Sequence, residues 1–175
     1  MFKRILVAVD REPTMANQVL AEAQAVAAAQ QAELHLAHVL SPLRSGYPDP
    51  AYMTIDGALN AINLQNYELY QANWENLKQQ SQEQLNAWIE MARGQGISAT
   101  ATQLVGDPGK AICTLAQDWS ADLIVLGRRG LHGLGELLLG SVSNYVMHRS
   151  PCAVLVVQGL GATAPSEAPP PTSQS

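Results

Sequence analysis

The residues best placed to do chemistry are the glycines and hydroxyls that follow a short apolar run late in the chain. Leu123 to Leu126 is such a run, and it stops at Gly127. Gly130, Gly133, Gly135 and Gly140 follow, and Ser141-Val142-Ser143 then opens a helix-like segment. A buried strand, a glycine-rich loop and a helix with hydroxyls in its first turn together form an anion site. Glycines admit positive φ and let a ligand come close to the backbone. The free N–H groups of a helix start, at the positive end of its dipole, hold negative charge. The segment is therefore expected to bind nucleotide phosphates. Arg128 and Arg129 sit between the first two glycines. Either can add a charge-assisted contact to a triphosphate, and a solvated basic pair is an equal alternative.

Other candidate motifs fall away on spacing. Gly106-Asp107-Pro108-Gly109-Lys110 is not a phosphate loop of the G-x4-G-K-[ST] kind, because Ala111 follows Lys110 and no glycine stands five before Gly109. It reads better as a helix start, with Asp107 as cap and Pro108 in the first helical position. His35 and His38 alternate with apolar residues on a strand, where three-apart side chains face opposite ways, so they do not form a metal pair. His148 falls near a helix end, where an imidazolium suits the dipole. Cys113 and Cys152, in apolar settings, are expected as buried reduced thiols.

The elements that must position the glycine loop follow from periodicity. Arg4 to Val9 is a strand ended by Asp10. A helix capped by Thr14 or Asn17 runs to about Gln31, with Met15, Val19, Ala23, Val26 and Ala27 on one stripe. Glu33 to Val39 is the second strand. Ser41 to Pro50 is loop, rich in proline and glycine. A long polar helix from about Asp56 to Gly94 puts Tyr67, Tyr70, Trp74, Leu77, Leu85, Trp88 and Ala92 on one face. Ile97 to Val105 reads as a third strand, at or near an edge. A helix to about Trp119 precedes strand four, Leu123 to Leu126. Ser141 to Arg149 is the fourth helix and Ala153 to Val157 the fifth strand. This alternation predicts an α/β fold: a single five-stranded parallel sheet, doubly wound. Alternation alone permits the strand orders 3-2-1-4-5 and 2-1-3-4-5. In the first, the chain reverses between strands one and four, and ligands bind beyond the strand ends there. Asp10 and Gly127 end those two strands.

Gly127-x2-Gly130-x9-Gly140-Ser141 resembles the ATP-binding signature of the universal stress protein family. Gly140 to Val157 resembles that family's closing helix and strand, and Lys3 to Asp10 its opening strand. Between about Ser41 and Gly96 the likeness is one of layout. The resemblance implies strand order 3-2-1-4-5 and an adenine nucleotide, ATP or AMP/ADP, with magnesium. It implies phosphate contacts from the Ser141 and Ser143 hydroxyls and the Val142 N–H. It places Asp10 beside ribose and adenine, Ala8 and Val9 in the adenine pocket, and Val39 at the adenine edge. With Leu126, Gly127, Arg128, Gly130 and Gly140 these make up the expected contact set. The chain departs from the family after Asp10, where Arg11-Glu12-Pro13 replaces a small residue and serine. The resemblance also implies a homodimer through Ala153–Val157, an apolar strand at the sheet edge.

Composition bounds the rest. The 175 residues, 47% of them apolar, suffice for one core, expected over 1–158. Residues 159–175, with three consecutive prolines and little apolar content, are expected to be a disordered tail; a proline-rich docking peptide is the weaker alternative. A net charge of −5 argues against unaided binding to nucleic acid or acidic membranes. With no apolar run of the ~20 residues that span a bilayer, and no signal peptide, the protein is expected to be cytoplasmic. Glu136 is the only carboxylate between Gly127 and Ser143, so the loop lacks an evident general base. The expectation is therefore a nucleotide-binding regulator with a protein partner that the sequence does not identify. A slow ATPase or nucleotidyl transferase, and a nucleotide-free dimeric module, are the alternatives.

Overall fold

The computed structural model describes residues 1–42, 60–128 and 140–158, with backbone alone at 60–66. Five strands form one parallel sheet: β1 (Arg4–Val9), β2 (Glu33–Leu40), β3 (Ala99–Val105), β4 (Leu123–Arg128) and β5 (Ala153–Gln158). Their order across the sheet is β3-β2-β1-β4-β5. The helices are α1 (Pro13–Gln30), α2 (Asn60–Gly94), α3 (Pro108–Asp118) and α4 (Ser141–Arg149).

Strand side chains alternate between two apolar layers. Ile5, Val7, Val9, Leu34, Leu36, Leu123 and Val125 pack with α1 and α2. Leu6, Ala37, Val39, Ile124 and Leu126 pack with α3 and α4. Both faces are covered, which is why the central strands read as unbroken apolar runs. On α1, Ala16, Ala23 and Ala27 are fully buried or nearly so, and their small side chains let the helix lie close to the sheet. Val26, placed on the same stripe by periodicity, is only half-buried.

Several boundaries move from their expected places. Glu12, rather than Thr14 or Asn17, caps α1: its carboxylate accepts from the N–H groups of Thr14 and Met15 at 2.9 and 2.7 Å. Pro13 then occupies the first helical position, where its missing N–H costs nothing. Strand β4 does not stop at Gly127. Gly127 and Arg128 pair with Val157 and Gln158 of β5, so the partner strand carries β4 two residues further. On α2, Leu77, Leu85, Trp88 and Ala92 are buried, but Tyr67 is exposed and Tyr70 and Trp74 are only half-buried. The packed stripe thus begins near Leu77. Residues 43–59, 129–139 and 159–175 lie outside the described residues, and with them most of the expected 41–50 loop, the expected helix start near Asp56 and the expected disordered tail.

Candidate functional site

In this strand order the chain runs from β1 out to β2 and β3 on one side and then returns from β3 to β4 on the other side of β1, so the carboxyl ends of β1 and β4 flank a cleft. Three strand ends and two helix starts build it. Ala8, Val9 and Asp10 come from β1 and Ala37, His38 and Val39 from β2. Leu126 and Gly127 come from β4, Pro108 and Ile112 from α3, and Gly140, Ser141, Val142 and Ser143 from α4. The expected contacts Ala8, Val9, Asp10, Val39, Leu126, Gly127, Gly140, Ser141, Val142 and Ser143 thus converge on one hollow. Arg128 is half-buried in β4 opposite Gln158 and outside that lining. Gly130, Arg129, His132 and Glu136 lie outside the described residues.

Gly127 and Gly140 are there for reasons other than positive φ. Among the described residues the positive-φ glycines are Gly96 and Gly106; Gly127 and Gly140 are not among them. Gly127 is a packing glycine: a Cβ there would stand 2.6 Å from both Cγ and Sδ of Met15 and 3.1 Å from Cγ2 of Val19. Gly140, at φ −58 and ψ 157, has conformational angles open to any residue. A Cβ on it would meet only Ser143 Oγ, at 3.6 Å. Among the described residues no other atom lies within 4 Å of that position.

The helix starts differ in the same way. Glu12 caps α1, and Asp107 caps α3 by accepting from Lys110 N–H at 3.0 Å. Among the described residues no side chain caps α4, whose N-cap is Gly140. Its first-turn N–H groups therefore have no side-chain acceptor among the described residues. Ser143 is buried and its hydroxyl donates to Gly140 C=O at 3.3 Å, whereas Ser141 is exposed. At the opposite wall Asp10 Oδ1 accepts from Arg11 N–H at 2.6 Å.

Ala37, His38, Pro108 and Ile112 line the cleft outside the expected contact set, and of these His38 carries a titratable side chain. It is 7% exposed, and its Nδ1 is hydrogen-bonded to Ser81 Oγ of α2. Burial lowers its pKa; Asp10 pulls the other way and Arg11 adds to the lowering. The strand alternation that excluded a metal pair with His35 also aims His38 at α2. His35 lies on the far side of the sheet, between the Thr100 and Thr102 hydroxyls at 2.8 Å each and beside the Trp119 ring. A second hollow lies between α2 and the ends of β1 and β2, and it shares Asp10 and His38 with the first. Among the described residues no group of three or more His, Cys, Asp or Glu side chains is arranged to hold a metal ion. Cys113 and Cys152 are free thiols, both half-buried, and burial raises both. No helix among the described residues is long and apolar enough to cross a membrane.

The same arrangement of elements is found in proteins already known. A solved structure of hypothetical protein MJ0577 superposes with a TM-score of 0.66 at 25% identity, over 90% of this chain and 96% of that one. A universal stress protein solved in complex with cAMP gives a TM-score of 0.57 at 25% identity, over 90% and 98% of the two chains. Universal stress protein Sll1388 of Synechocystis sp. is 35% identical over 157 residues, 90% of this chain and 98% of its own length. The profile of the Universal stress protein family matches residues 1–158, and the chain belongs to that family.

Proposed function

We propose that the protein binds an adenine nucleotide, ATP or a shorter relative, in the cleft between β1, β2 and α4, and acts as a stress-response regulator rather than as an enzyme. The observation that carries this reading is the start of α4. Among the described residues it is a set of main-chain N–H groups with no side-chain cap, beside a Gly140 whose added Cβ would meet only Ser143 Oγ, in the same cleft as the ends of β1 and β2. Phosphates fit the helix start, where they replace the missing cap. Adenine and ribose fit the walls formed by Ala8, Val9, Leu126 and Val39, with Asp10 as acceptor for ribose hydroxyls. The cAMP bound by a universal stress protein of the same fold supports an adenine ligand.

Magnesium, where it accompanies a triphosphate, would be held chiefly by phosphate oxygens and water, with the exposed Ser141 hydroxyl in reach. Among the described residues, Asp10 is the carboxylate lining the cleft, and it already accepts the Arg11 N–H. That suits a binding role better than that of a free general base. The reading includes a homodimer paired along β5, the sheet's edge strand, in the cytoplasm. Calorimetric titration of nucleotide-free protein with ATP, ADP, AMP and cAMP, with and without magnesium, tests it. Saturable binding of at least one is expected; heat of dilution alone for all four would refute the reading.

A further inference from the structure

We propose that His38 is a specificity-determining residue that reads the nucleoside half of the cleft ligand, with Ser81 of α2 as its positioning residue. This rests on the nucleotide reading above and adds a side chain to it. His38 stands in register with Val9 at the carboxyl ends of adjacent strands, immediately beside Asp10. His38 is among the residues lining both hollows, and its side chain lies toward the second, where Nδ1 meets Ser81 of α2. Ser81 is itself 8% exposed and fixes the imidazole through Nδ1. Among the described residues the ring's hydrogen bond is at Nδ1, so Nε2 remains for a ligand.

Two features decide which part of the ligand Nε2 meets. The first is distance. β1 lies between β2 and β4, so two strand spacings put His38 about 10 Å from the β4 end where α4 holds the phosphates. The second is charge. A ring this buried favours its neutral form, which offers one donor or acceptor and no ionic attraction for phosphate. A nucleoside hydroxyl or base-ring nitrogen matches that; a phosphate does not. Gln80 and Gln84, which face the second hollow from α2, are also neutral hydrogen-bonding groups.

The amide variants separate the two ring nitrogens. His38→Asn keeps a polar group near the Nδ1 position and can retain Ser81, but has nothing where Nε2 stood. His38→Gln does the reverse. Each is titrated with ATP and with inorganic tripolyphosphate, which lacks the nucleoside. Loss of one hydrogen bond corresponds to roughly 3–10-fold in affinity. His38→Asn is expected to lose that much for ATP and nothing for tripolyphosphate, with His38→Gln closer to wild type. Ser81→Ala is expected to weaken ATP alone. If His38 only ties α2 to the sheet, Asn outperforms Gln, or both ligands weaken together; either result overturns the proposal while wild-type binding stands. A wild-type protein that binds neither probe refutes the nucleotide reading and this inference with it.

Discussion

At Gly127 an added methyl group would meet Met15 and Val19 of α1, and at Gly109 it would stand 2.8–3.0 Å from Tyr145 side-chain atoms, two of them ring carbons. Gly127→Ala and Gly109→Ala should each destabilise by about 1–3 kcal/mol, the usual cost of overpacking, read as a lower urea midpoint at unchanged slope. Gly140→Ala has only a 3.6 Å contact to make and should move stability by about 0.5 kcal/mol or less while weakening nucleotide binding. The glycine spacing was legible in the sequence, but the distinct reasons for each glycine were not, because they depend on what a neighbouring helix places opposite. The histidines carry a pH prediction. Burial lowers both His35 and His38 from the ordinary value of 6.5. Above 6.5 folded and unfolded chains both hold neutral imidazoles, and their contribution is fully present. As pH falls below 6.5 the unfolded chain takes up protons that the folded one resists, so stability declines until the folded values are reached. Urea midpoints should therefore fall between pH 7 and 5, and the double change His35→Gln, His38→Gln should flatten that slope. Asp122, held below 3.8 by the N–H groups of Lys3 and Arg4, acts in a separate and more acidic window.

Among the helices with described starts, α4 lacks the carboxylate that α1 and α3 both have. Gly140→Asp would supply it. The cap should stabilise the ligand-free protein by about 1 kcal/mol and at the same time place a negative charge where phosphate is to bind. Stability and nucleotide affinity should then move in opposite directions, measured as melting temperature without ligand and affinity by calorimetry. A variant that gains stability and keeps full affinity would separate the α4 start from the binding site. On α2, Leu85 is fully buried and Leu69 is 60% exposed. Leu85→Ala should cost roughly 2–5 kcal/mol and Leu69→Ala about 0.5 kcal/mol or less. Helical periodicity alone put Tyr67 and Leu85 on the same face; only the extent of the sheet beneath α2 decides which is covered. Likewise the end of β4 was misplaced, because Gly127 looks like a strand terminator until β5 is seen pairing with it. The cap of α3 was legible because Asp107-Pro108 is a local signal. The cap of α1 was not, because glutamate is a less usual cap than the Thr14 and Asn17 that follow it, and both of those lie inside the helix.

For the whole molecule, the strand and helix alternation allowed two sheet orders, and resemblance at the chain's two ends selected β3-β2-β1-β4-β5, the order found. That order brings Asp10, Val39, Gly127 and Gly140 together although they are distant in sequence. It also leaves β5 at an edge, with Leu155 and Val157 partly buried against the core. Sedimentation at micromolar concentration should give twice the 18.7 kDa chain mass; a monomeric mass would contradict pairing along β5. The central claim is that the native fold, and not the unfolded chain, captures an adenine nucleotide, and thermal unfolding with ligand measures this directly. Nucleotide at about 100 times its Kd should stabilise by ~2.7 kcal/mol. For a chain of this size that corresponds to a rise in melting temperature of roughly 5–11 °C. ATP or AMP should produce that rise in the nucleotide-free wild-type protein and a much smaller one in Gly140→Asp. Identical melting curves with and without nucleotide would contradict the account.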